Sequence, residues 1–381
     1  MSGHNSNDVK RFWIERMAKQ DAQPDGMSTP LGGSGGGVAS TGSNTAPHLA
    51  YHDLRKWLEE AQKLGEVKTV KGLSWQRDIG MVSELAAHTD NASCFVFEDV
   101  PGTLKGSRLL VNFFAGKRKN MTLGFSTELS KLELSENFRV NHAGMLKRIP
   151  PKFVDGGPVM QNVMQGDAID VTKFPAPQWH PQDGGRYIGT GCYNIMRDPD
   201  DGWINCGTYR VMIHDAKSAG FYISPGKHGR QMRDKYKARG VAMPVAVVCG
   251  GDPMTFLMAC SEVPYGVSEY EIVGGMRGKP VDVIKGPLTG LPIPANAEIV
   301  PEGFVEPATS ASKGRSASGW AITPARSGPS RCSTSRRSII ATIRSSWAAC
   351  RSARPTRSAA IARWCAQGFC ARTSRRRACR G

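Results

Sequence analysis

The sequence predicts a mixed α+β and α/β protein in three parts, and three observations support this fold class. Helical and strand-like apolar patterns alternate between residues 51 and 150, which is typical of an α/β domain. Short β-rich segments dominate residues 151–306. Acidic residues stop after Glu306, and residues 307–381 sustain neither periodicity. We therefore expect an α/β domain, a mostly β domain and a basic tail without a fold of its own.

The first 50 of the 381 residues are predicted to be a flexible, disordered tail. Their Gly- and Ser-rich run contains too little apolar surface to fold. The glycines do not indicate a phosphate-binding loop, because no strand precedes them and no helix directly follows. The sequence lacks a long apolar stretch of the kind that spans a membrane or directs secretion. We therefore expect a cytosolic (cytoplasmic) protein.

Residues 51–150 are predicted to form an α/β domain that serves mainly as a scaffold. Asp53 can cap a first helix, whose apolar residues follow helical spacing until Gly65 ends it. A second amphipathic helix is predicted from Asp78 to His88. Strands are predicted at three apolar segments, EVKTV, CFVFEDV and SRLLVNFF.

Residues 151–306 begin with a loop-rich stretch and continue as a mostly β domain with inserted helices. His180 and Asp183 lie in the loop, but the Pro-Gln-Trp-His-Pro setting fixes the backbone there, so we interpret His180 as structural. A strand is predicted from Arg186 to Met196. Further apolar segments follow at Pro244–Cys249, Phe256–Cys260 and Lys279–Ile284.

The stretch from Trp203 to His228 is where chemistry is expected. Trp203–Ile213 is predicted to be one strand and Gly220–Ser224 a second, so the two should pair as a hairpin. Along the first strand, two sets of residues are expected to face opposite sides unless Gly207 marks a bulge. The two sets are Asn205, Gly207 and Tyr209, and Cys206, Thr208 and Arg210.

A helix is predicted to begin immediately after this hairpin. Pro225-Gly226 ends the strand, and Lys227 and His228 open a helical run. Both side chains would then stand where a helix N-terminus offers free N–H groups to an anion such as phosphate. A simpler alternative remains open, in which Arg210 pairs with a surface acid and His228 only caps the helix.

Together with GVSE at 266–269 and IPANAEIV at 293–300, this stretch resembles the UbiD family of decarboxylases, which use prenylated FMN. The resemblance implies that Asn205, His228 and Glu269 hold a divalent metal that bridges to the cofactor phosphate. It implies that Arg210 faces the substrate carboxylate as the catalytic residue. The residues that it places at the cofactor are Asn205, Thr208, Tyr209, Arg210, Lys227, His228 and Glu269.

The residue types suit the implied chemistry. An amide oxygen, an imidazole and a carboxylate form a mixed oxygen and nitrogen set that is compatible with Mn²⁺ or Mg²⁺. The resemblance also implies K⁺ as a further ion, a split β-barrel similar to flavin reductases for residues 151–306, and a homo-oligomer. A flavin prenyltransferase would supply the cofactor, and the substrate would be an aromatic or α,β-unsaturated carboxylic acid.

The tail of residues 307–381 differs from the rest of the chain. Lys313 and fifteen arginines give it a formal charge of +16 of the total +17, and it contains no Asp, Glu, His or Tyr. Clustered arginine favours nucleic-acid binding, but the near absence of lysine does not. The tail's five cysteines lack zinc-ligand spacing. Three interpretations therefore compete: a basic nucleic-acid-binding tail, a disordered arm for a membrane or a partner, and translation in the wrong reading frame.

Back-translation favours the third interpretation. Residues 312–320 can be encoded so that the shifted phase reads EGPFGEWL, which is the glutamate-bearing motif of the family. Segments 307–311 and 336–350 give family-like strings in the same phase. We therefore hypothesise a frameshift after about Glu306. No residue of this chain then matches the two glutamates that the resemblance implies as acid–base groups, so decarboxylation by the chain as written is expected to be poor or absent.

Three functions were weighed. The first is a carboxy-lyase of the prenylated-FMN type, and the alternative is a non-catalytic, basic-tailed binding protein on the same scaffold. An ordinary flavin oxidoreductase would also fit a barrel but would not explain Arg210 beside the metal trio. Buried thiols in a reducing compartment are expected at the cysteines outside the tail, which are Cys94, Cys192, Cys206, Cys249 and Cys260.

Overall fold

The computed structural model describes residues 48–141, 147–261, 263–307, 331–333 and 337–339. Nearly all of the predicted N-terminal tail lies outside the described residues, and so does most of the basic tail. The predicted disorder of both tails and the domain boundaries at 50/51, 150/151 and 306/307 therefore stay predictions. Among the described residues, no helix is long and apolar enough to cross a membrane.

The N-terminal elements follow the predicted order. Helix α1 (Leu54–Lys63) begins as expected, because the Asp53 carboxylate accepts the backbone N–H of Lys56 at 2.8 Å. Helix α2 spans Asp78–His88, as predicted. A three-stranded sheet has the order β1-β2-β3, with β1 and β2 parallel. The other elements here are β1 (Val67–Lys71), β2 (Cys94–Glu98), β3 (Leu109–Val111), α3 (Gly116–Thr122) and α4 (Lys131–Asn141).

An eight-stranded sheet, of order β6-β9-β10-β15-β14-β11-β7-β8, forms the centre of the described chain. Strand β15, a short segment of the basic tail, lies between β10 and β14. The strands are β6 (Tyr187–Gly189), β7 (Cys192–Arg197), β8 (Ile204–Gly207), β9 (Arg210–Ile213), β10 (Ser218–Tyr222), β11 (Met243–Cys249), β14 (Glu302–Val305) and β15 (Arg331–Ser333).

Two strands that were predicted as continuous are each split in two. The predicted strand from Arg186 to Met196 divides into β6 and β7, and the one from Trp203 to Ile213 divides into β8 and β9 at Thr208. Only the second half forms the predicted hairpin, in which β9 pairs antiparallel with β10. β8 instead pairs with β7. The expectation of one strand through the candidate site is therefore wrong, while the hairpin is confirmed.

The physical cause of the second break is a side chain on another strand. Asn194 of β7 donates its amide to the carbonyl oxygens of Gly207 and Tyr209, at 3.1 and 3.0 Å. Those carbonyls are thereby satisfied by a side chain instead of a neighbouring strand. At Gly207, an added Cβ would lie 2.4 Å from the Tyr209 hydroxyl, so the ring folds back over the glycine. Instead of a bulge at Gly207, the chain changes its strand partner completely, because β8 pairs with β7 whereas β9 pairs with β10.

The remaining elements surround this sheet. Helices α5 (His228–Ala238), α6 (Pro253–Cys260) and α7 (Glu269–Arg277) are the inserted helices of the central part, and the apolar segment Phe256–Cys260 belongs to one of them. A small sheet has the order β13-β12-β4, and β16 pairs with β5. These strands are β4 (Lys152–Phe153), β5 (Val163–Gln165), β12 (Asp282–Lys285), β13 (Pro292–Pro294) and β16 (Arg337–Ile339).

The largest hydrophobic cluster joins the two predicted domains. Trp57 of α1, Ile195 of β7 and Val283 of β12 are all fully buried within it. A second cluster lies on the other face of β7 and includes Met196 and Val247. Burial of these side chains stabilises the α/β part against the central sheet. The split-barrel description of that sheet stays a prediction.

Candidate functional site

Asn205 and Glu269 form the centre of the candidate site. The Asn205 amide nitrogen donates to Oε1 of Glu269 at 3.0 Å, and the backbone N–H of Cys206 donates to Oε2 at 2.7 Å. Each side chain belongs to a residue that is 2% exposed. The predicted pair of metal ligands is therefore in direct contact, although 64 positions separate the two residues.

Local structure explains why Glu269 can be placed there. Ser268 has an extended backbone and serves as the N-cap of α7, so Glu269 is the first helical residue. A carboxylate in the first turn of a helix is favoured by the unpaired N–H groups at that end. Strand β8 presents Asn205 and the Cys206 amide together to this carboxylate. One glutamate thus connects the end of a helix to the middle of a strand.

Burial raises the pKa of Glu269 to about 8, against hydrogen bonds from the Cys206 amide, its own amide and Asn205, which lower it. The cause is the loss of water around the charged form. A divalent cation at this carboxylate would favour the ionised form and displace the proton. The surroundings of the Glu269 carboxyl group therefore favour the binding of a cation.

Two polar atoms in the same neighbourhood are buried without hydrogen-bond partners among the described residues. They are Oδ1 of Asn205 and Oγ of Ser268. A buried oxygen without a partner costs free energy unless an ion, water or ligand satisfies it. Since Asn205 already uses its NH₂ group on Glu269, its oxygen is the atom left to act as a ligand. This fits the role that the sequence resemblance implies.

His228 lies at the start of α5 and packs in one cluster with two aromatic rings that also contact each other. Its ring centroid is 5.1 Å from that of Trp203 and 5.7 Å from that of Tyr265. The adjacent Gly229 N–H donates to the Tyr209 hydroxyl at 3.2 Å, which ties the helix to the segment after β8. Among the described residues, no three His, Cys, Asp or Glu side chains are grouped so that they could hold a metal, and the predicted trio contains only two residues of these types.

The start of α5 was predicted to offer free N–H groups to an anion, and the hydrogen bonds there differ from this expectation. The N–H of Gly229 is bonded to Tyr209, and those of Arg230 and Gln231 are bonded to the carbonyl oxygen of Lys227 at 2.9 and 3.2 Å. These amides are therefore not free, so the expectation of several free N–H groups is wrong for these three. Lys227 is exposed, and it supplies positive charge at this end of the helix.

Arg210 begins strand β9 and is exposed. Its guanidinium carbon lies 6.0 Å from the centroid of the Tyr187 ring. Within the described part of the chain, Arg210 forms no ion pair within 4.0 Å, so the simpler alternative of a surface salt bridge finds no support there. Thr208 and Tyr209 form the two-residue link between β8 and β9 and are half-buried. Three of the seven residues predicted at the cofactor, Thr208, Tyr209 and Arg210, thus follow one another from this link into β9.

A further acidic side chain, Asp183, lies in the loop before β6 and interacts electrostatically with Arg210. Asp183 is 7% exposed, and its Oδ2 accepts the backbone N–H of His180 at 2.9 Å. Its Oδ1, like Nε2 of His180, is buried and has no hydrogen-bond partner in the described part of the chain. Burial raises the pKa of Asp183, while the charge of Arg210 is among the influences that lower it. Only the proximity of the two in space could have revealed the association.

The cysteines outside the tail are free thiols, as predicted. Four of them are buried, and Cys260 is half-buried. Burial raises the pKa of the Cys206 thiol well above its usual value, and the charge of Glu269 adds to the effect. A thiol that resists ionisation is a poor nucleophile, so Cys206 serves as packing beside the site.

Comparison with known proteins identifies a common family. The sequence model of the family described as "UbiD: 3-octaprenyl-4-hydroxybenzoate carboxy-lyase Rift-related domain" matches residues 152–318. Pyrrole-2-carboxylic acid decarboxylase of Pseudomonas aeruginosa is 30% identical over 261 residues, which are 66% of this chain and 52% of that protein. Ferulic acid decarboxylase 1 of Candida dubliniensis is 33% identical over 189 residues, covering 48% and 36% respectively.

Solved structures agree in fold. The vanillic acid decarboxylase of Sedimentibacter hydroxybenzoicus in closed form has a TM-score of 0.71 at 25% identity and is matched over 79% of this chain and 64% of its own. An evolved dimeric form of the UbiD-class enzyme HmfF from Pelotomaculum thermopropionicum, solved with prFMN, has a TM-score of 0.68 at 22% identity, with coverages of 83% and 71%. The chain spans about half the length of the curated relatives it matches over most of its sequence.

Proposed function

The chain belongs to the UbiD family, and from this premise we propose that it is a carboxy-lyase that releases CO₂ from an aromatic or α,β-unsaturated carboxylic acid, using prenylated FMN and a divalent metal. Relatives named for pyrrole-2-carboxylic and ferulic acids support the substrate class. The observation that supports the site most directly is the contact between Asn205 and Glu269. The proposed setting is the cytoplasm, in a homo-oligomer supplied by a flavin prenyltransferase.

The metal would be held by Asn205, His228 and Glu269. The fit rests on the buried, unpartnered Oδ1 of Asn205 and on the buried carboxyl group of Glu269. A cation would offset the free-energy cost of ionising that carboxyl group. Amide oxygen, carboxylate and imidazole are acceptable together to Mn²⁺ or Mg²⁺. The unpartnered hydroxyl of Ser268 is a further oxygen donor beside Glu269, which fits K⁺ as a proposed second ion. No other cation is needed to explain the polar groups gathered here.

When bound, prenylated FMN would supply the electron sink that allows the bond to the carboxylate carbon to break. The proposed contacts to it come from β8, from the link after it and from the start of α5, through Asn205, Thr208, Tyr209, Arg210, Lys227, His228 and Glu269. The chain's own contribution is positioning. Arg210 would hold the substrate carboxylate by charge-assisted hydrogen bonds. Tyr209, anchored to the Gly229 amide, would keep the link between Asn205 and Arg210 in place.

The proton that replaces CO₂ has no donor in this chain that matches the family's glutamates. The resemblance assigns that step to glutamates of a motif that appears only when residues 312–320 are read in a shifted frame. We therefore expect impaired turnover together with retained binding of metal and flavin. A chain translated after Glu306 in the reading frame that gives EGPFGEWL should decarboxylate its substrate. Near-normal turnover by the 381-residue chain would contradict the assignment of the proton donor.

Coexpression with a flavin prenyltransferase tests the proposal. The purified chain is expected to show flavin absorbance and to contain manganese by elemental analysis. Glu269→Gln should lose the metal, because a neutral amide replaces the anionic ligand. Glu271→Gln, two residues further along the same helix, is the matched control and should retain it. Absence of both flavin and metal from the unaltered chain would contradict the proposed function.

A second function is favoured by one observation, the +16 formal charge of residues 307–381. In this alternative the chain is a non-catalytic, basic-tailed binding protein on the same scaffold. Binding to a nucleic acid would then weaken steeply with salt, because each neutralised phosphate releases counterions. Fluorescence anisotropy with a labelled DNA duplex, at several salt concentrations, compares the full chain with a chain ending at Glu306. Equal and weak binding by the two would exclude this alternative.

A further inference from the structure

A loop beside Arg210 carries an acidic side chain that the proposed function does not use. Asp183 and Arg210 both act on Tyr187: burial raises the pKa of this phenol, Asp183 raises it further, and Arg210 lowers it. The Arg210 guanidinium stands 6.0 Å from the centre of the Tyr187 ring. The Asp183 carboxylate and the Arg210 guanidinium therefore both act electrostatically on Tyr187.

The position of Asp183 is fixed by several backbone contacts. Its N–H donates to the carbonyl oxygen of His180 at 3.0 Å, and its own carbonyl accepts the side-chain amide of Gln178 at 3.1 Å. A Cβ added at Gly185 would lie 3.4 Å from the sulfur of Met212, so the loop packs directly on β9. Met212 and Arg210 share a face of that strand, because side chains alternate along it. The loop thus holds Asp183 next to the face that carries Arg210.

The two carboxylate oxygens of Asp183 are not equivalent. Oδ2 accepts the His180 N–H at 2.9 Å, and a hydrogen bond from the Trp179 backbone also lowers the pKa of this carboxyl, whereas the buried Oδ1 has no hydrogen-bond partner of normal geometry among the described residues. Asp183 is 7% exposed, so water cannot satisfy this oxygen freely. A buried acceptor without a donor is costly, and a ligand that brings a donor recovers that cost. The unused oxygen therefore points to a ligand group that carries N–H or O–H.

We propose that Asp183 is a specificity-determining residue, which selects acids that carry an N–H or O–H donor beside the carboxylate held by Arg210. This inference rests on the proposed function, since it takes Arg210 as the carboxylate anchor. On the protein side, Arg210 supplies a cation and Asp183 supplies a hydrogen-bond acceptor. They complement a ligand ring that carries a carboxylate on one atom and an N–H or O–H donor on the next. An acid without the donor would leave Oδ1 of Asp183 without a hydrogen-bond partner.

Two nearly isosteric acids test this selection by binding alone, without turnover. Pyrrole-2-carboxylate carries a ring N–H beside its carboxylate, and furan-2-carboxylate carries a ring oxygen at the same position. Titration calorimetry on the full 381-residue chain, coexpressed with a flavin prenyltransferase, measures the Kd of each. We expect the pyrrole acid to bind about tenfold more tightly than the furan acid.

The variant Asp183→Asn should invert this preference. The His180 N–H requires an oxygen, so the asparagine would turn its NH₂ group to the place of Oδ1. That group donates to the furan oxygen and opposes the pyrrole N–H. Asp167→Asn removes one negative charge from an exposed carboxylate that pairs with Lys217, and this matched control should keep the original preference.

The outcomes separate the two proposals. If Asp183→Asn changes the affinities for both acids by the same factor, only charge is involved and the specificity role is overturned. If Arg210→Met leaves both affinities unchanged, the carboxylate anchor of the proposed function is wrong, whatever Asp183 does. Failure of the unaltered chain to bind either acid would overturn both proposals. Loss of both affinities in Arg210→Met, together with inversion in Asp183→Asn, supports both.

Discussion

The Asn205 side-chain amide donates an N–H to Oε1 of Glu269 at 3.0 Å. The carbonyl oxygen of Asn205 is then the only part of this side chain without a partner among the described residues. The carboxylate therefore orients the amide. In metal sites, contacts of this kind between ligands and their neighbours fix which atom faces the ion. The Asn205–Glu269 pair is thus an orientation device as well as a pair of proposed ligands.

The raised pKa of Glu269 predicts how stability changes with pH. In the unfolded chain this carboxyl ionises near its ordinary pKa of 4.5, whereas the folded chain holds the proton up to about pH 8. Between these values the folded state binds more protons, so the free energy of unfolding should fall as pH rises, by up to about 1.4 kcal/mol per pH unit.

Urea unfolding of metal-free protein at pH 5, 6, 7 and 8 measures this slope. Glu269→Gln should flatten it, because an amide does not ionise, and should be the more stable form at pH 8. Added Mn²⁺ should also reduce the slope. A slope that Glu269→Gln leaves unchanged would show that other groups cause the pH dependence.

Replacement of Asn205 by Ala should be costly without any change of charge. The substitution leaves Oε1 of Glu269 buried without its donor, which is expected to cost about 1–3 kcal/mol of unfolding free energy. Asn137→Ala is the control, because Asn137 is only half-buried and its amide donates to the carbonyl oxygen of Glu133 on its own helix. Chemical denaturation of both variants checks the difference, and equal costs would contradict the importance of the contact.

Tyr209→Phe should loosen the start of α5. The hydroxyl accepts the Gly229 N–H at 3.2 Å, and its removal leaves that N–H without its observed partner, at a cost of about 1 kcal/mol. Hydrogen exchange of the Gly229 amide should accelerate. Tyr222→Phe, on strand β10, removes a hydroxyl that makes no hydrogen bond to the described residues. This control should leave the exchange of the Gly229 amide unaltered. Unchanged exchange in Tyr209→Phe would contradict this role.

Gly80→Ala should displace the loop that carries Asp183. A Cβ at Gly80 would stand 2.1 Å from the carbonyl oxygen of Trp179, which is a backbone atom and cannot turn aside. Overpacking of this kind costs about 1–3 kcal/mol. Gly156→Ala is the control, since an added Cβ there meets nothing within 4 Å. Thermal unfolding of the two variants gives the comparison, and similar melting temperatures would contradict the predicted clash.

Local signals in the sequence were sufficient for several elements. The Asp53 cap and the apolar spacing after it predicted α1, and α2 was predicted with its observed bounds. The β9–β10 hairpin followed from alternation and a polar turn. These elements depend on neighbours in the chain, which is why periodicity could predict them. The pairing of Asn205 with Glu269 came from family resemblance, because no local pattern links residues 64 positions apart.

The missed features depend on contacts that are distant in sequence. The strand through residues 203–213 is broken because the side chain of Asn194 binds two of its carbonyl oxygens. At the start of α5, the Gly229 amide is occupied by the Tyr209 hydroxyl, and the next two amides are occupied by the carbonyl oxygen of Lys227. From the sequence, Asp183 was placed in the same loop as His180 but was given no role. Its unpaired buried oxygen and its electrostatic interaction with Arg210 depend on the fold, and composition alone could not show them.

The change of strand partner at Thr208 and Tyr209 has an evolutionary consequence. Surface connections usually accept added or lost residues, but this one joins strands at opposite ends of the sheet order, β8 at one edge and β9 next to the other. A single inserted residue here would shift Arg210 relative to Asn205 by about 3.3 Å, the rise of one strand residue. Length variation among descendants of this gene should therefore accumulate elsewhere, and the dipeptide should keep its length even where its residue types drift.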